Sequence, residues 1–265
     1  MIIVTGANGK LGRRVVERLL ERVPAGQVGV SVRDPGAARD LAERGVRVRP
    51  GDFADPASLE RSLEGASRVL VVSVDRLGEE ALAQHRVAVG AAAKAGAERI
   101  VYTSHQGTDP ASRFAATRDH AATEQLLRES GVPYTALRNG FYAATVPQLI
   151  GPARQTGEIA LPADGPVSWT THDDLAEAVD FDRVAAILSG LTGRTITRVT
   201  LSDEDYRARM VGHGVPAPAV DLLLDIFAAS RAGEFAAVDP ALGARLGRTP
   251  TSVEAYLRAE PVSAA

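Results

Sequence analysis

Twelve residues at the start of the chain settle the identity of its first fold unit. Met1-Ile2-Ile3-Val4 is an apolar run, Gly6-x-x-Gly9-x-x-Gly12 follows it, and an amphipathic segment comes next. Leu11, Val15, Val16, Leu19 and Leu20 recur at helical spacing, so the segment after the glycines has one apolar face. A strand, a glycine loop and a helix in this order form a cradle for a pyrophosphate. The glycines let the backbone turn sharply and approach the anion, and the helix start offers unpaired N–H groups with a partial positive charge. Arg33 follows about twenty residues later, where recognition of a ribose is expected. The chain is therefore read as a dinucleotide binder.

Composition narrows the class by exclusion. The 265 residues suffice for a full core, with 45% hydrophobic and 24% charged residues as in an ordinary globular protein. A net charge of -3 gives no long-range attraction to nucleic acid or to an anionic membrane, and neither is expected as a partner. With no cysteine, disulfides, thiolate metal sites and cysteine nucleophiles are excluded. No two histidines show metal-ligand spacing, so no metal is expected. The first strand begins at Met1 and no apolar run reaches spanning length, so the expected location is the cytoplasm, as a monomer or homodimer.

Strand and helix alternate through the first half of the chain. Strands are expected at Gln27–Val32, Val46–Arg49, Val69–Val72, Ile100–Thr103 and Tyr134–Leu137. Helices are expected at Ser58–Leu63, Gly78–Ala95 and Thr117–Ser130. This predicts an α/β fold, a Rossmann-type doubly wound parallel sheet over residues 1–145. A smaller, mainly helical substrate region is expected over 146–265. Gly151 to Pro166 reads as loop, Thr171-x-x-Asp174 and Ser202-x-x-Asp205 read as helix-starting capping boxes, and helices are expected at Ala219–Ala232 and Ser252–Ala259.

Several segments together carry a family resemblance. They are Thr5-Gly6-Ala7-Asn8-Gly9-Lys10-Leu11-Gly12, Val32-Arg33-Asp34-Pro35, Gly51-Asp52-Phe53, Tyr102-Thr103-Ser104-His105, His120-Ala121-Ala122-Thr123-Glu124 and Ser130 through Tyr142. Together with Trp169-Thr170, Asp174–Ala178 and Gly233-Glu234-Phe235, they cover nearly the whole chain. The chain resembles the NmrA-like atypical short-chain dehydrogenases/reductases of the NAD(P)H:quinone oxidoreductase and triphenylmethane reductase type. The resemblance implies a helix at Asp174–Ala178. It also implies a Tyr-x-Leu-Thr-Gly strand before the helix near Phe181, and roughly two dozen residues of that kind are missing here. Either an edge element is lost or the sequence omits a segment between Ala178 and Phe181.

The candidate cofactor residues are Gly6, Asn8, Gly9, Lys10, Leu11 and Gly12 in the loop and Arg33 at the end of the second strand. Asp52 and Phe53 follow the third strand, and Ser73, Thr103 and Ser104 end the fourth and fifth. His120, Gly140 and Phe141 complete the set. An arginine at position 33 can fork onto a ribose 2′-phosphate, which favours NADPH over NADH, although Asp34 keeps a carboxylate available for a 2′-hydroxyl. Arg33 also fits a solvated strand end, and Asp52 an ordinary turn aspartate. The resemblance places Asp52 at the adenine amine, Phe53 against the ring and Arg138 through Tyr142 beside the nicotinamide. Strand-terminal serines can equally cap the next segment, but short-chain dehydrogenases keep a carbonyl-polarising serine near Ser104.

The chain lacks the acid those enzymes usually employ, a tyrosine followed four residues later by lysine. Its only lysines are Lys10 and Lys94, preceded at that spacing by Gly6 and Gly90. Catalytic candidates are thus Ser104, Tyr142 and His120, the last either a neutral-pH proton donor or simply a packed side chain. His105, Phe141, Tyr142 and Trp169 are the candidate substrate contacts, with Trp169 equally compatible with ordinary core. His85 and His213 lie far in sequence from any motif. The expected function is NADPH-dependent reduction of a small aromatic ketone, including polyketide-type ketones, or of a quinone. The alternative is a non-catalytic NAD(P)-sensing regulator of the NmrA type.

Overall fold

A computed structural model describes residues 1–171, 175–238 and 247–259. The chain forms two compact units, Met1–Pro110 with Ala116–Arg138, and Ala111–Ala115 with Asn139–Ala265. The division falls at Arg138, seven residues before the boundary expected from sequence, and the five residues Ala111–Ala115 join the second unit.

The first unit is built on β1 (Ile2–Thr5), β2 (Val28–Val32), β3 (Arg47–Pro50), β4 (Arg68–Val71), β5 (Arg99–His105) and β6 (Tyr134–Asn139). Alternating with them are α1 (Lys10–Leu20), α2 (Arg39–Glu43), α3 (Pro56–Leu63), α4 (Gly78–Lys94) and α5 (Ala115–Glu129). The sheet order is β3-β2-β1-β4-β5-β6, and the first five strands pair in parallel. This is the Rossmann order, and it reverses between β1 and β4. Side chains alternate across each strand, so each face of the sheet has its own core. Ile3, Val69, Val71, Ile100 and Tyr102 pack on one side, and Val4, Val28, Val30, Val32 and Leu70 on the other.

The second unit contains β7 (Phe141–Tyr142), α6 (Val146–Ile150), α7 (Ala153–Thr156), β8 (Glu158–Pro162), β9 (Val167–Thr170) and β10 (Leu175–Val179). It continues through α8 (Phe181–Thr192), β11 (Thr197–Leu201), α9 (Asp203–Gly212), α10 (Ala217–Arg231) and α11 (Val253–Ala259). Two small sheets, β10-β9-β7 and β11-β8, accompany the helices. The stretch read as loop between Gly151 and Pro166 holds α7 and β8. Its Pro and Gly residues sit at element ends, with Gly157 left-handed at φ 79° beyond α7.

The segment read as a helix is a strand. Leu175–Val179 pairs antiparallel with β9, although Leu, Ala and Glu favour helix. Every residue of β9 is buried, and pairing on both its edges satisfies main-chain groups that water cannot reach. The chain then passes directly into α8, whose first turn Asp180 caps by accepting from the Arg183 N–H at 2.9 Å. The other half of the expected capping box, Asp174, lies outside the described residues. The Ser202 box forms as read, with Ser202 Oγ accepting from the Asp205 N–H at 3.0 Å.

Candidate nucleotide site and substrate-side cavity

The glycine loop is shaped by three different constraints. Gly6 sits at φ +64°, a left-handed conformation that a side chain resists. Gly9 N–H donates to Gly6 O at 2.9 Å, closing the turn. A Cβ at Gly12 would lie 2.4 Å from Gly6 O, so only glycine lets α1 start this close to the loop. Gly9 caps α1 without any side-chain hydrogen bond, and no acid occupies the first turn. The first N–H groups of α1 are thus open to an anion. Asn8 Nδ2 donates to Asp34 O at 2.8 Å, tying the loop to the end of β2. Arg33 and Lys10 are exposed, and Leu11 is half-buried. Arg13, by contrast, is engaged by Asp40 and by Glu17.

Asp52 follows β3 and holds a local turn: Oδ1 accepts from the Ala54 N–H at 3.0 Å. Its own N–H donates to Ser58 Oγ at 3.1 Å, and Phe53 packs its half-buried ring against the core. At the carboxyl ends of β4 and β5, Ser73 N–H donates to Thr103 Oγ1 at 2.8 Å, and Thr103 Oγ1 donates back to Ser73 Oγ at 3.1 Å. These strand ends border the point where the sheet order reverses, the place where open α/β sheets take ligands.

Beyond them lies a polar network whose members sequence reading treated separately. Ser104 is buried, and its hydroxyl donates to Glu124 Oε1 at 2.7 Å. Arg138 clamps the same carboxylate with Nε to Oε1 at 3.0 Å and Nη2 to Oε2 at 2.7 Å. Burial raises the Glu124 pKa, but these hydrogen bonds outweigh it and the net direction is down. With no substrate present, the Ser104 hydroxyl thus directs its proton to a carboxylate.

His120 Nδ1 lies 2.6 Å from the Tyr102 hydroxyl, and its ring stacks at 6.2 Å on His105. Burial drives the His120 pKa down to about 4, against weaker upward pulls from Asp119 and Glu124. Burial and His120 together lower His105 to about 3. Both imidazoles are held neutral at pH 7 by burial, which favours the packed-side-chain alternative for His120. His85 was set aside for its distance in sequence, yet it belongs to this group. It accepts from the Val74 N–H at Nε2 (3.1 Å), so Nδ1 carries the proton and donates to Thr123 Oγ1 at 2.9 Å. Desolvation lowers its pKa to about 4 as well.

In the second unit, a Cβ at Gly140 would meet the Ser168 carbonyl oxygen at 2.3 Å, so glycine allows β7 to lie against β9. Phe141 packs on Phe235 (ring centroids 4.9 Å), Phe114 (5.7 Å) and Trp169 (5.9 Å). Trp169 is 2% exposed and donates Nε1–H to the Val179 carbonyl at 3.2 Å, so it is core and not a wall of the cavity. Tyr142 is half-buried with its pKa raised by burial, offset in part by a hydrogen bond with Asn139. A cavity of about 820 Å³ opens among α6, β8, α9 and α10. Of the residues chosen from sequence only Phe141 lines it; Gln148, Tyr206, Met210, His213 and Leu223 were missed. Tyr206 and Met210 on α9 and His213 at its C-terminal cap recur at helical spacing, which is the one signal that could have grouped them.

The family model described as NAD(P)H-binding matches residues 6–179. The chain belongs to the NAD(P)H-binding oxidoreductases of the NmrA-like group. Among members of this family, quinone oxidoreductase 2 of Escherichia coli (strain K12) is 34% identical over 261 residues, covering 89% of this chain and 90% of that protein. A solved structure of the NADPH-dependent quinone oxidoreductase of Escherichia coli with NADPH has TM-score 0.88 and 30% identity, over 97% of this chain and 98% of that one. Citrobacter sp. triphenylmethane reductase with NADP(H) has TM-score 0.87 and 29% identity, over 97% and 100%. For this family member the loop observations fit a dinucleotide: the approach that a Cβ at Gly12 would block and the uncapped start of α1 are what a pyrophosphate requires. No helix among the described residues is long and apolar enough to cross a membrane.

Proposed function

We propose that this protein reduces a quinone or a phenol-bearing aromatic ketone, using NADPH in preference to NADH. One observation carries the choice of substrate: none of the acids chosen from the sequence is poised to give up a proton readily near neutral pH. His105 and His120 are neutral there, Ser104 is bonded to Glu124, and burial raises the Tyr142 pKa. Lysine is absent from the position where a short-chain dehydrogenase would need it. A quinone tolerates this, because its reduced oxygens are weakly basic phenolates, and an aromatic ketone with an adjacent phenol brings its own proton. Likeness to quinone and triphenylmethane reductases supports the same reading.

In this reading Gly6, Gly9, Gly12 and the start of α1 hold the pyrophosphate. Lys10 and Arg33 face the 2′-phosphate, Asp52 and Phe53 the adenine, and Ser73 and Thr103 the nicotinamide half. The bound dinucleotide supplies the hydride. Phe141 and the apolar cavity exclude water and orient the substrate, so position contributes most of the rate enhancement.

The test is NADPH oxidation with 2-methyl-1,4-naphthoquinone, a 2-hydroxyaryl ketone and cyclohexanone. The first two are expected to turn over and cyclohexanone is not. Ser104→Ala, Tyr142→Phe and His120→Ala are each expected to retain measurable turnover, whereas a dedicated acid contributes about 10²–10⁴-fold. Abolished activity in one variant with NADPH binding intact would identify such an acid. Tight NADPH binding with no turnover of any compound would make the protein a dinucleotide sensor.

A further inference from the structure

The cavity has an uneven electrostatic lining. Its lining includes the apolar and aromatic side chains of Phe141, Tyr206, Met210 and Leu223. Arg209 in the last turn of α9 and His213 just beyond its end both line it, and Glu158 on β8 is the acid among the described lining residues. Glu158 does not hold the arginine tightly, since Nη1 and Oε1 are 4.0 Å apart and both side chains are about half exposed. The neighbouring Arg207 is by contrast paired directly with Asp221. A loosely held guanidinium in one cavity with apolar and aromatic side chains matches a flat ring system with an anionic substituent.

We infer that this cavity takes polycyclic aromatic ligands bearing an anionic group, an ionised enol, a carboxylate or a sulfonate, and that Arg209 selects for the charge. The inference names the substrate class of the proposed reductase but rests on the cavity, so binding tests it without turnover. A volume of about 820 Å³ far exceeds a single ring and suits two or more fused rings. Arginine in the last turn of a helix also favours the helix dipole. That role predicts a change in thermal stability on substitution and no change in ligand preference.

The experiment is calorimetric titration of the full chain with two naphthoquinones of similar size. 2-Hydroxy-1,4-naphthoquinone is an acidic enol, anionic at neutral pH, and 2-methyl-1,4-naphthoquinone is neutral. The anion is expected to bind about three- to tenfold more tightly. Arg209→Ala abolishes the preference, Arg209→Lys keeps most of it, Glu158→Gln enlarges it, and added salt reduces it. Equal affinities in the wild-type protein, binding of neither compound, or an unchanged preference in Arg209→Ala would each overturn the inference. Preferential binding of the anion without NADPH oxidation would leave it standing while removing the proposed reductase function.

Discussion

The two units of this protein hold their functional side chains by different means. In the first, polar groups are held by hydrogen bonds: Glu124 takes three from Ser104 and Arg138, and His85 is fixed by Val74 and Thr123. In the second, rings pack on rings, from Phe114 through Phe141 and Trp169 to Phe181 and Phe227, beside an apolar cavity. A hydrogen-bonded frame tolerates little displacement and suits the precise holding of a cofactor. An aromatic, mostly apolar wall accepts substrates of varied outline. The proposed function assigns demanding geometry to the first unit and substrate choice to the second.

The largest effect expected to break that contrast comes from the glycine loop. Gly12→Val puts side-chain atoms where Gly6 backbone already lies, so NADPH affinity falls at least about a hundredfold and stability by about 1–3 kcal/mol. Gly90→Ala in α4 is the control, since its Cβ meets nothing within 4 Å; it is expected to leave binding unchanged and to stabilise by up to about 1 kcal/mol. Dinucleotide affinity and melting temperature separate the two.

Acid provides the next contrast. His85, His105 and His120 take up protons near 6.5 when unfolded but at about 4, 3 and 4 when folded. Between those values the unfolded chain holds more protons, so the first unit loses stability as pH falls from 6.5 toward 4. Each group contributes a loss of at most about 1.4 kcal/mol for each pH unit between its two values. Glu124, with its pKa depressed, adds to this at lower pH. Asp164 in the second unit has the opposite sign. Desolvation raises its pKa despite hydrogen bonds from Phe181 and Arg198, so acidification relieves a buried charge. Hydrogen exchange at pH 7 and 4.5 should show amides of the first unit losing protection first; equal loss in both units would break the distinction.

What could be read from sequence follows the same division. The β1–loop–α1 unit was legible because its determinants are mostly local: Gly6 takes a left-handed turn, and a side chain at Gly9 or Gly12 would crowd Gly6. The strand at Leu175–Val179 was not, because its residues favour helix and only pairing with β9 makes it extended. His85 was missed for a related reason: its partner Thr123 is 38 residues away, and an isolated helix histidine carries no local signal. The lining of the cavity resembles the apolar face of any packed helix until α9 and β8 are seen together.

A smaller effect sharpens the account of the cofactor. Arg33→Ala is expected to weaken NADPH binding about tenfold and to leave NADH binding nearly unchanged, as loss of one charge-assisted phosphate contact implies. Equal losses for both cofactors would remove Arg33 from the 2′-phosphate.

The central claim, reduction without a side chain that titrates near neutrality, is tested most directly by the pH dependence of kcat with 2-methyl-1,4-naphthoquinone between pH 6 and 9. Burial keeps His105 and His120 neutral across this range, so no inflection is expected, and His120→Gln should give the same flat profile. A limb that falls through a single ionisation near pH 7, and disappears in His120→Gln, would contradict the account.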